Sequence, residues 1–281
     1  MKATMTPTGK ALWFVESHFA EAIGLDEAAA SAGVSRFHLS RAFGEAIGQP
    51  FARYLRGRRL SEAARSLAGG APDILEVALS VGYGSHEAFT RAFRDWFGLT
   101  PEQVRAAAHL DGLTLTEPIR MDESHLAKLA SPRFEKLGAL LIAGYAERYN
   151  GANTAGIPAQ WQRFLPHFGH LPGQIGRIGY GVCRDGDDDG NFEYVCGAEV
   201  SDFSGLPSEF TRVRLAPQRY AVFSHDGHVS AIKGTMNAIW NGWLPQSGHE
   251  AADAPLFERY DETFDGRTGL GGIEVWLPLK A

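Results

Sequence analysis

Two periodicities divide the chain. From residue 8 to about 110, apolar residues recur every three or four positions among Ala, Leu, Arg and Glu, the pattern of amphipathic helices. From 133 onward the runs are short, β-branched or aromatic, and bounded by Gly, Pro and Asp: LGALLIAGYAERY, RIGYGVCRD, FEYVCGAEV, RYAVFSH, LFERYDE and GIEVWLPL. Two helical stretches interrupt them, IPAQWQRFLPHF and VSAIKGTMNAIWNGWL. The pattern predicts an α+β multidomain protein: an all-α domain over 8–110, a linker over 111–131, and an α+β domain over 132–281.

Each part reads as a duplication. In the first, SRFHLSRAFGEAIGQP is echoed by SHEAFTRAFRDWFGLTP. LDEAAASAG predicts a helix opened at Asp26 and closed at Gly33, and Ser35 caps a second helix over 36–47 with Leu39, Phe43 and Ile47 on one apolar stripe. DILEVALSVG repeats the short helix, with Ile74, Val77, Ala78 and Val81 inward and Gly82 at its end. Ser85 then caps a helix over 86–97 that buries Phe89, Phe93 and Trp96 or Phe97, leaving His86, Glu87, Thr90, Arg91 and Arg94 outside. Short glycine-containing turns between paired helices are the mark of a helix-turn-helix. PFARYLRGRRLSEAARSLAGG joins the two units as one helix from Pro50 to Gly69-Gly70, with a rise of roughly 28 Å. Adjacent major-groove faces of DNA recur about every 34 Å. One chain can therefore present two recognition helices to one face of bent DNA. In the second part, strand–helix–strand–strand occurs twice, over about 134–201 and 211–280.

Composition narrows the class. Net charge is −6, and it divides unevenly: residues 1–110 hold 12 Lys and Arg against 11 Asp and Glu, the remainder 15 against 22. Contact with DNA therefore rests on local clusters such as Arg53, Arg56, Arg58 and Arg59 and on helix N-termini, not on a global basic field. Two cysteines exclude a disulfide scaffold and fit a reducing compartment. No apolar run reaches the ~20 residues of a membrane span, and MKATMTPTGK has no apolar core of a signal peptide. The expectation is a cytoplasmic protein without membrane contact.

Residues 8–108 resemble the DNA-binding domain of the AraC/XylS transcription regulators, on YLRGRRLSEAARSL and VGYGSHEAFTRAFRDWFGLTPEQVR. The resemblance implies promoter DNA as partner, with RNA polymerase beside it. It places Phe37, Ser40 and Arg41 at base-reading positions of the first unit, and His86, Glu87, Thr90 and Arg91 at those of the second. Ser40 is short, so Arg36 joins Arg41 in the first set, and the cap Ser85 joins the second. Arg binds guanine O6 and N7 bidentately, and Glu accepts from cytosine N4.

In PLFERYDET, alternation puts Leu256, Glu258, Tyr260 and Glu262 on one face; in GGIEVWLPL it sets Ile273, Val275 and Leu277 against Glu274 and Trp276. A carboxylate in mid-strand among apolar neighbours is costly without a partner. A ligand cation supplies one, and aromatic faces add cation–π attraction; an arginine such as Arg259 or Arg212 is the alternative. Residues 132–281 resemble the GyrI-like effector-binding domains, on PLFERYDETF, GGIEVWLPLK and IWNGWLPQSG. That resemblance implies a small-molecule effector, lipophilic or cationic, around a pseudo-twofold groove centred on Glu258. Tyr145, Tyr180, Trp243, Tyr260 and Trp276 are candidates for the aromatic wall. The competing readings are a small-molecule hydrolase using Glu258 and a tyrosine, and a drug-sequestering module.

Other signals lead nowhere. RDGDDDGNFEYVC places Asp185, Asp187, Asp189 and Gly190 as in a calcium loop, but Cys196 stands where the bidentate Glu belongs. Cys183 and Cys196 lack a second ligand pair for zinc. His167, His170, His225 and His228 fall in turn-like segments and read as surface histidines. No glycine-rich phosphate loop is present, and the absence of cysteine from residues 1–110 argues against an alkyl-accepting repair protein. No metal, cofactor or catalytic residue is expected.

Overall fold

The computed structural model describes residues 5–119, 126–150, 154–187 and 189–281. Part of the expected linker, residues 120–125, lies outside them. The chain divides into two compact units, Met1–Phe43 with Gln49–Glu123, and Gly44–Gly48 with Ser124–Ala281.

The first unit is all helical: α1 (Pro7–His18), α2 (Leu25–Ala32), α3 (Arg36–Ile47), α4 (Phe51–Ala68), α5 (Ile74–Ser80), α6 (His86–Phe97) and α7 (Pro101–Ala107). Punctuation residues set the ends. Gly33 (φ 73°) and Gly98 (φ 72°) close α2 and α6 in the left-handed region, which costs any residue with a Cβ. The start of α2 differs from expectation. Gly24 is the cap, Glu27 accepts its N–H at 2.8 Å, and Asp26 lies within the first turn. Ser85 caps α6 by accepting from the Ala88 N–H at 3.2 Å, and Asp73 accepts from Leu75 and Glu76 at the start of α5.

The core of the second helix pair gathers Leu60, Leu67, Ile74, Val77, Val81, Phe89, Phe93 and Val104, with Trp96 and Phe97 partly buried against it. In the first pair, Phe43 packs on Phe51 and Tyr54 with ring centroids 5.4 and 5.8 Å apart. Arg58 corrects an expectation. It is 2% exposed and donates to Glu16 twice at 2.8 Å, to Glu62 at 3.0 Å and to the Thr116 carbonyl at 2.8 Å. Arg59 is engaged as well, donating to the carbonyls of Phe19 and Glu21. Of the basic run on α4, only Arg53 and Arg56 are exposed.

The second unit is one curled antiparallel sheet. Its strands are β1 (Arg133–Leu137), β2 (Leu140–Asn150), β3 (Gln174–Arg184), β4 (Asn191–Val200), β5 (Thr211–Leu215), β6 (Gln218–His225), β7 (Leu256–Tyr260) and β8 (Ile273–Leu279), in the order β1-β6-β8-β7-β3-β4-β2-β5. The duplication is visible in that order. β1 to β4, with α8 (Ile157–Phe164) after β2, form one repeat; β5 to β8, with α9 (Ile232–Asn237) after β6, form the other. Each repeat begins with an extra short strand paired to the other repeat: β1 to β6, and β5 to β2. The two repeats meet at β3 and β7, on the pseudo-twofold. One sheet face buries Tyr180, Val182, Val195, Tyr220, Val222, Phe257 and Trp276 in a single core. The other face carries α8, which packs over Tyr194, Cys196 and Ala198.

Candidate functional site

The helices expected to read DNA present their polar faces outward. On α3, Arg36 is exposed and ion-paired to Asp26, and Arg41 lies over the Phe37 ring at 5.6 Å. This i, i+4 pair fixes the guanidinium on a hydrophobic plate. Ser40 is half-buried between them. On α6, His86, Glu87 and Arg91 are exposed, and His86 Nε2 lies 3.6 Å from Glu102. Arg91 makes no ion pair among the described residues, so it is free to reach out. Thr90 departs from the set, because its hydroxyl is buried without a hydrogen-bond partner. In this conformation Thr90 offers a methyl, not a donor. Within the helical unit, α4 joins the two helix pairs: its 18 residues give a rise of roughly 27 Å.

The second site lies where the repeats meet. Across the sheet, Tyr145, Cys196, Gly181, Glu258, Val275 and Phe223 form one cross-strand row. Glu258 is 8% exposed, and its Oε2 accepts from Tyr260 Oη at 2.6 Å and Tyr194 Oη at 2.8 Å. Trp161 Nε1 donates to the Tyr194 oxygen at 3.1 Å, so α8 is tied into the same network. Among the described residues no arginine pairs with Glu258: Arg259 faces Glu274 at 3.4 Å, and Arg212 donates to the carbonyls of Leu206 and Phe210. Burial pushes the Glu258 carboxyl above its usual range, and the two tyrosine hydroxyls and His225 oppose that push. Burial likewise drives Tyr194 and Tyr260 well above the ordinary phenol value, with Glu258 adding to it.

Glycine makes room for this acid. A Cβ on Gly181 would fall 2.1 Å from Tyr194 Oη and 2.8 Å from Glu258 Oε2. Gly179, opposite Tyr260, would meet the Trp161 ring at 3.1 Å.

Immediately above lies a cleft of about 590 Å³. Ile157, Pro158, Trp161, Leu165 and Phe168 of the α8 segment form one wall, Gly179 and Arg177 of β3 the floor, and Tyr260, Asp261, Glu262, Phe264, Gly266 and Gly269 the other wall. Trp161 meets Tyr260 edge-on at 5.3 Å, and Phe264 lies 4.8 Å beyond Tyr260. Glu258 is thus one layer beneath the cleft, with Tyr260 spanning both.

Of the expected aromatic wall, Tyr260 alone lines this cleft. Tyr145 shares the face but stacks on Phe210 at 5.3 Å and bonds His167 at 3.0 Å. Trp243 packs edge-on against Phe223 at 4.9 Å. Tyr180 and Trp276 project from the opposite face, where both pack on Phe257. The pleat explains this, since Phe257 and Glu258 are neighbours in β7 and point opposite ways. Sequence reading missed Tyr194, Trp161 and the two glycines. His225 is another correction: it is the buried end of β6, with Nδ1 2.8 Å from Thr235 Oγ1.

A model described as the GyrI-like small molecule binding domain matches residues 130–280. The chain belongs to the GyrI-like family. A helix-turn-helix domain model matches residues 28–107. The chain is 25% identical over 285 residues to the transcriptional regulator Rob of Salmonella typhimurium, covering 96% of both chains. It is 25% identical over 282 residues to the right origin-binding protein of Escherichia coli, again over 96% of each. To the transcriptional regulator BrlR of Pseudomonas aeruginosa it is 29% identical over 208 residues, 69% of this chain and 77% of that one. This GyrI-like protein is an AraC-type DNA-binding transcription regulator with a small-molecule-binding domain. No helix among the described residues is long and apolar enough to cross a membrane.

Proposed function

We propose that the cleft beside Glu258 takes a lipophilic cation, and that its occupancy changes how strongly α3 and α6 hold promoter DNA. One observation carries the reading: a buried carboxylate at the pseudo-twofold is held by two neutral hydroxyl donors and by no ion pair among the described residues. A buried ion without a counter-ion is costly. A cation in the cleft, against Trp161 and Tyr260, supplies the missing charge, and the aromatic rings add cation–π attraction. Arg36, Phe37, Ser40 and Arg41 on α3, with Ser85, His86, Glu87 and Arg91 on α6, are the proposed DNA contacts; Thr90 contributes apolar contact. The domain boundaries proposed are 8–110 and 132–281. The protein acts in the cytoplasm by binding, without turnover, and engages RNA polymerase at its promoters. Linkage between effector and DNA of this kind amounts to about 1–3 kcal/mol.

The test is thermal shift with lipophilic cations, neutral analogues and anions, for wild type beside Glu258→Gln. A cation-selective shift that weakens in the variant supports the proposal. A shift indifferent to the substitution sinks it. Titrating promoter DNA with and without the cation then separates a sensor from a sequestering module, whose DNA affinity stays constant.

A further inference from the structure

The cleft carries a second, opposite charge that the cation reading does not use. Arg177 and Glu262 both line it, and both are exposed. The β3–β7 ladder ends at the pair Gly179–Tyr260; Arg177 lies two positions beyond it on β3, and Glu262 two positions beyond it in the turn after β7. They flank the same opening, yet they form no ion pair with each other or with any other described residue. The neighbouring acid is not free in this way: Asp261 accepts from the Thr263 N–H at 2.8 Å and its hydroxyl at 2.7 Å. The aromatic-lined cleft therefore carries both an uncommitted guanidinium and an uncommitted carboxylate.

A guanidinium is the side chain best shaped to take a carboxylate by two parallel hydrogen bonds. A ligand bearing only positive charge gains nothing from Arg177 and is repelled by it. We propose that the cleft selects aromatic molecules that carry a carboxylate as well as a basic group, with Arg177 receiving the carboxylate. The basic end then lies toward Glu262 and Glu258. This rests on the cleft being the effector site, and it names the class of effector more narrowly.

A matched dye pair tests it on the full chain. Rhodamine 110 carries a free carboxylate on a cationic aromatic core; rhodamine 123 is its methyl ester. Fluorescence anisotropy gives both Kd values for wild type, Arg177→Ala and Arg177→Lys. Wild type should bind rhodamine 110 at least as tightly as rhodamine 123. The ratio of the two Kd values should rise about tenfold against rhodamine 110 in Arg177→Ala, with Arg177→Lys recovering part of it. A ratio unchanged by Arg177→Ala overturns the proposal. Binding of rhodamine 123 without rhodamine 110 also overturns it and leaves the cation reading standing. Failure of both dyes to bind removes the two together.

Discussion

Replacing Glu258 with Gln should make the free protein more stable at neutral pH while weakening its hold on cations. The two side chains are nearly isosteric, so the packing around Tyr194 and Tyr260 survives. Hydrogen bonds to a charged acceptor are worth about 1.5–3 kcal/mol each, against about 0.5–1.5 for a neutral one. With donors at 2.6 and 2.8 Å, the amide therefore gives up about 2 kcal/mol. The opposing quantity is the desolvation of a buried carboxylate, several kcal/mol after relaxation. Burial is the largest influence on Glu258 and lifts its carboxyl above the ordinary value, so desolvation exceeds the bonds. We expect a net gain of about 1–2 kcal/mol, or a rise of about 2–8 °C in Tm for a domain of this size. The pH dependence has a definite sign. Because the folded state holds this proton more tightly than the unfolded chain, the stabilisation from protonated Glu258 is complete below the unfolded value and is lost as pH rises through the folded one. Gln does not titrate. The two proteins should melt nearly together in mild acid and separate as the pH rises, the variant above. Thermal and urea melts of the full chain across that range measure the gap. A variant less stable by a constant margin at every pH would refute the reasoning, because the carboxylate would then be a net structural anchor.

Three further outcomes follow from particular contacts. Arg91→Ala should weaken operator binding by about 1–3 kcal/mol and relax one base position; an equal loss across all sequences in a competition assay would make Arg91 a phosphate contact instead. Arg58→Met should destabilise the first unit by about 2–3 kcal/mol in denaturant melts, less than a fully buried pair costs when broken, because Glu16 is partly exposed and can rehydrate. Tyr260→Phe removes the shorter donor to ionised Glu258, so its carboxyl moves higher still. Cation affinity should rise with pH in the wild type, and that rise should shift to higher pH in the variant; superimposable Kd profiles would contradict this.

The helical unit was legible because its signals are local. Gly33 and Ser85 act on backbone within a few residues, and the structure puts each at a helix end. Arg58 was misread although its phase was available. Phe51, Tyr54, Leu55 and Arg58 follow i, i+3, i+4, i+7, so the arginine lies on the buried stripe. His225 is the same case at period two, in line with Ala221 and Phe223 on β6. The strands RFEKL and TRVRL escaped notice because edge strands carry alternating charge in place of an apolar run. Glu258 was legible as a mid-strand acid. Its partner Tyr194 lies 64 residues away, and only the long-range register of β4, β3 and β7 brings them together. Sequence spacing holds no trace of that register.

The identity of those partners decides what the site can do. An arginine beside Glu258 would satisfy the acid and neutralise it, leaving an entering cation only the exchange of one ion pair for another. Tyrosine hydroxyls satisfy the oxygen without cancelling its charge. The demand for a positive charge is therefore kept within the fold. Gly181 is the condition for this arrangement, since any side chain there would occupy the space of the Tyr194 hydroxyl and the carboxylate together. Gly181→Ala should thus act as a lesion of the site more than of the sheet. Its backbone φ needs no glycine, whereas its Cβ would collide with the acid's donor. Loss of cation binding with the β-sheet signal in circular dichroism retained is the expected result. Binding that survives would mean that the cation never reaches this layer, and that the charge it meets is at the lip of the cleft.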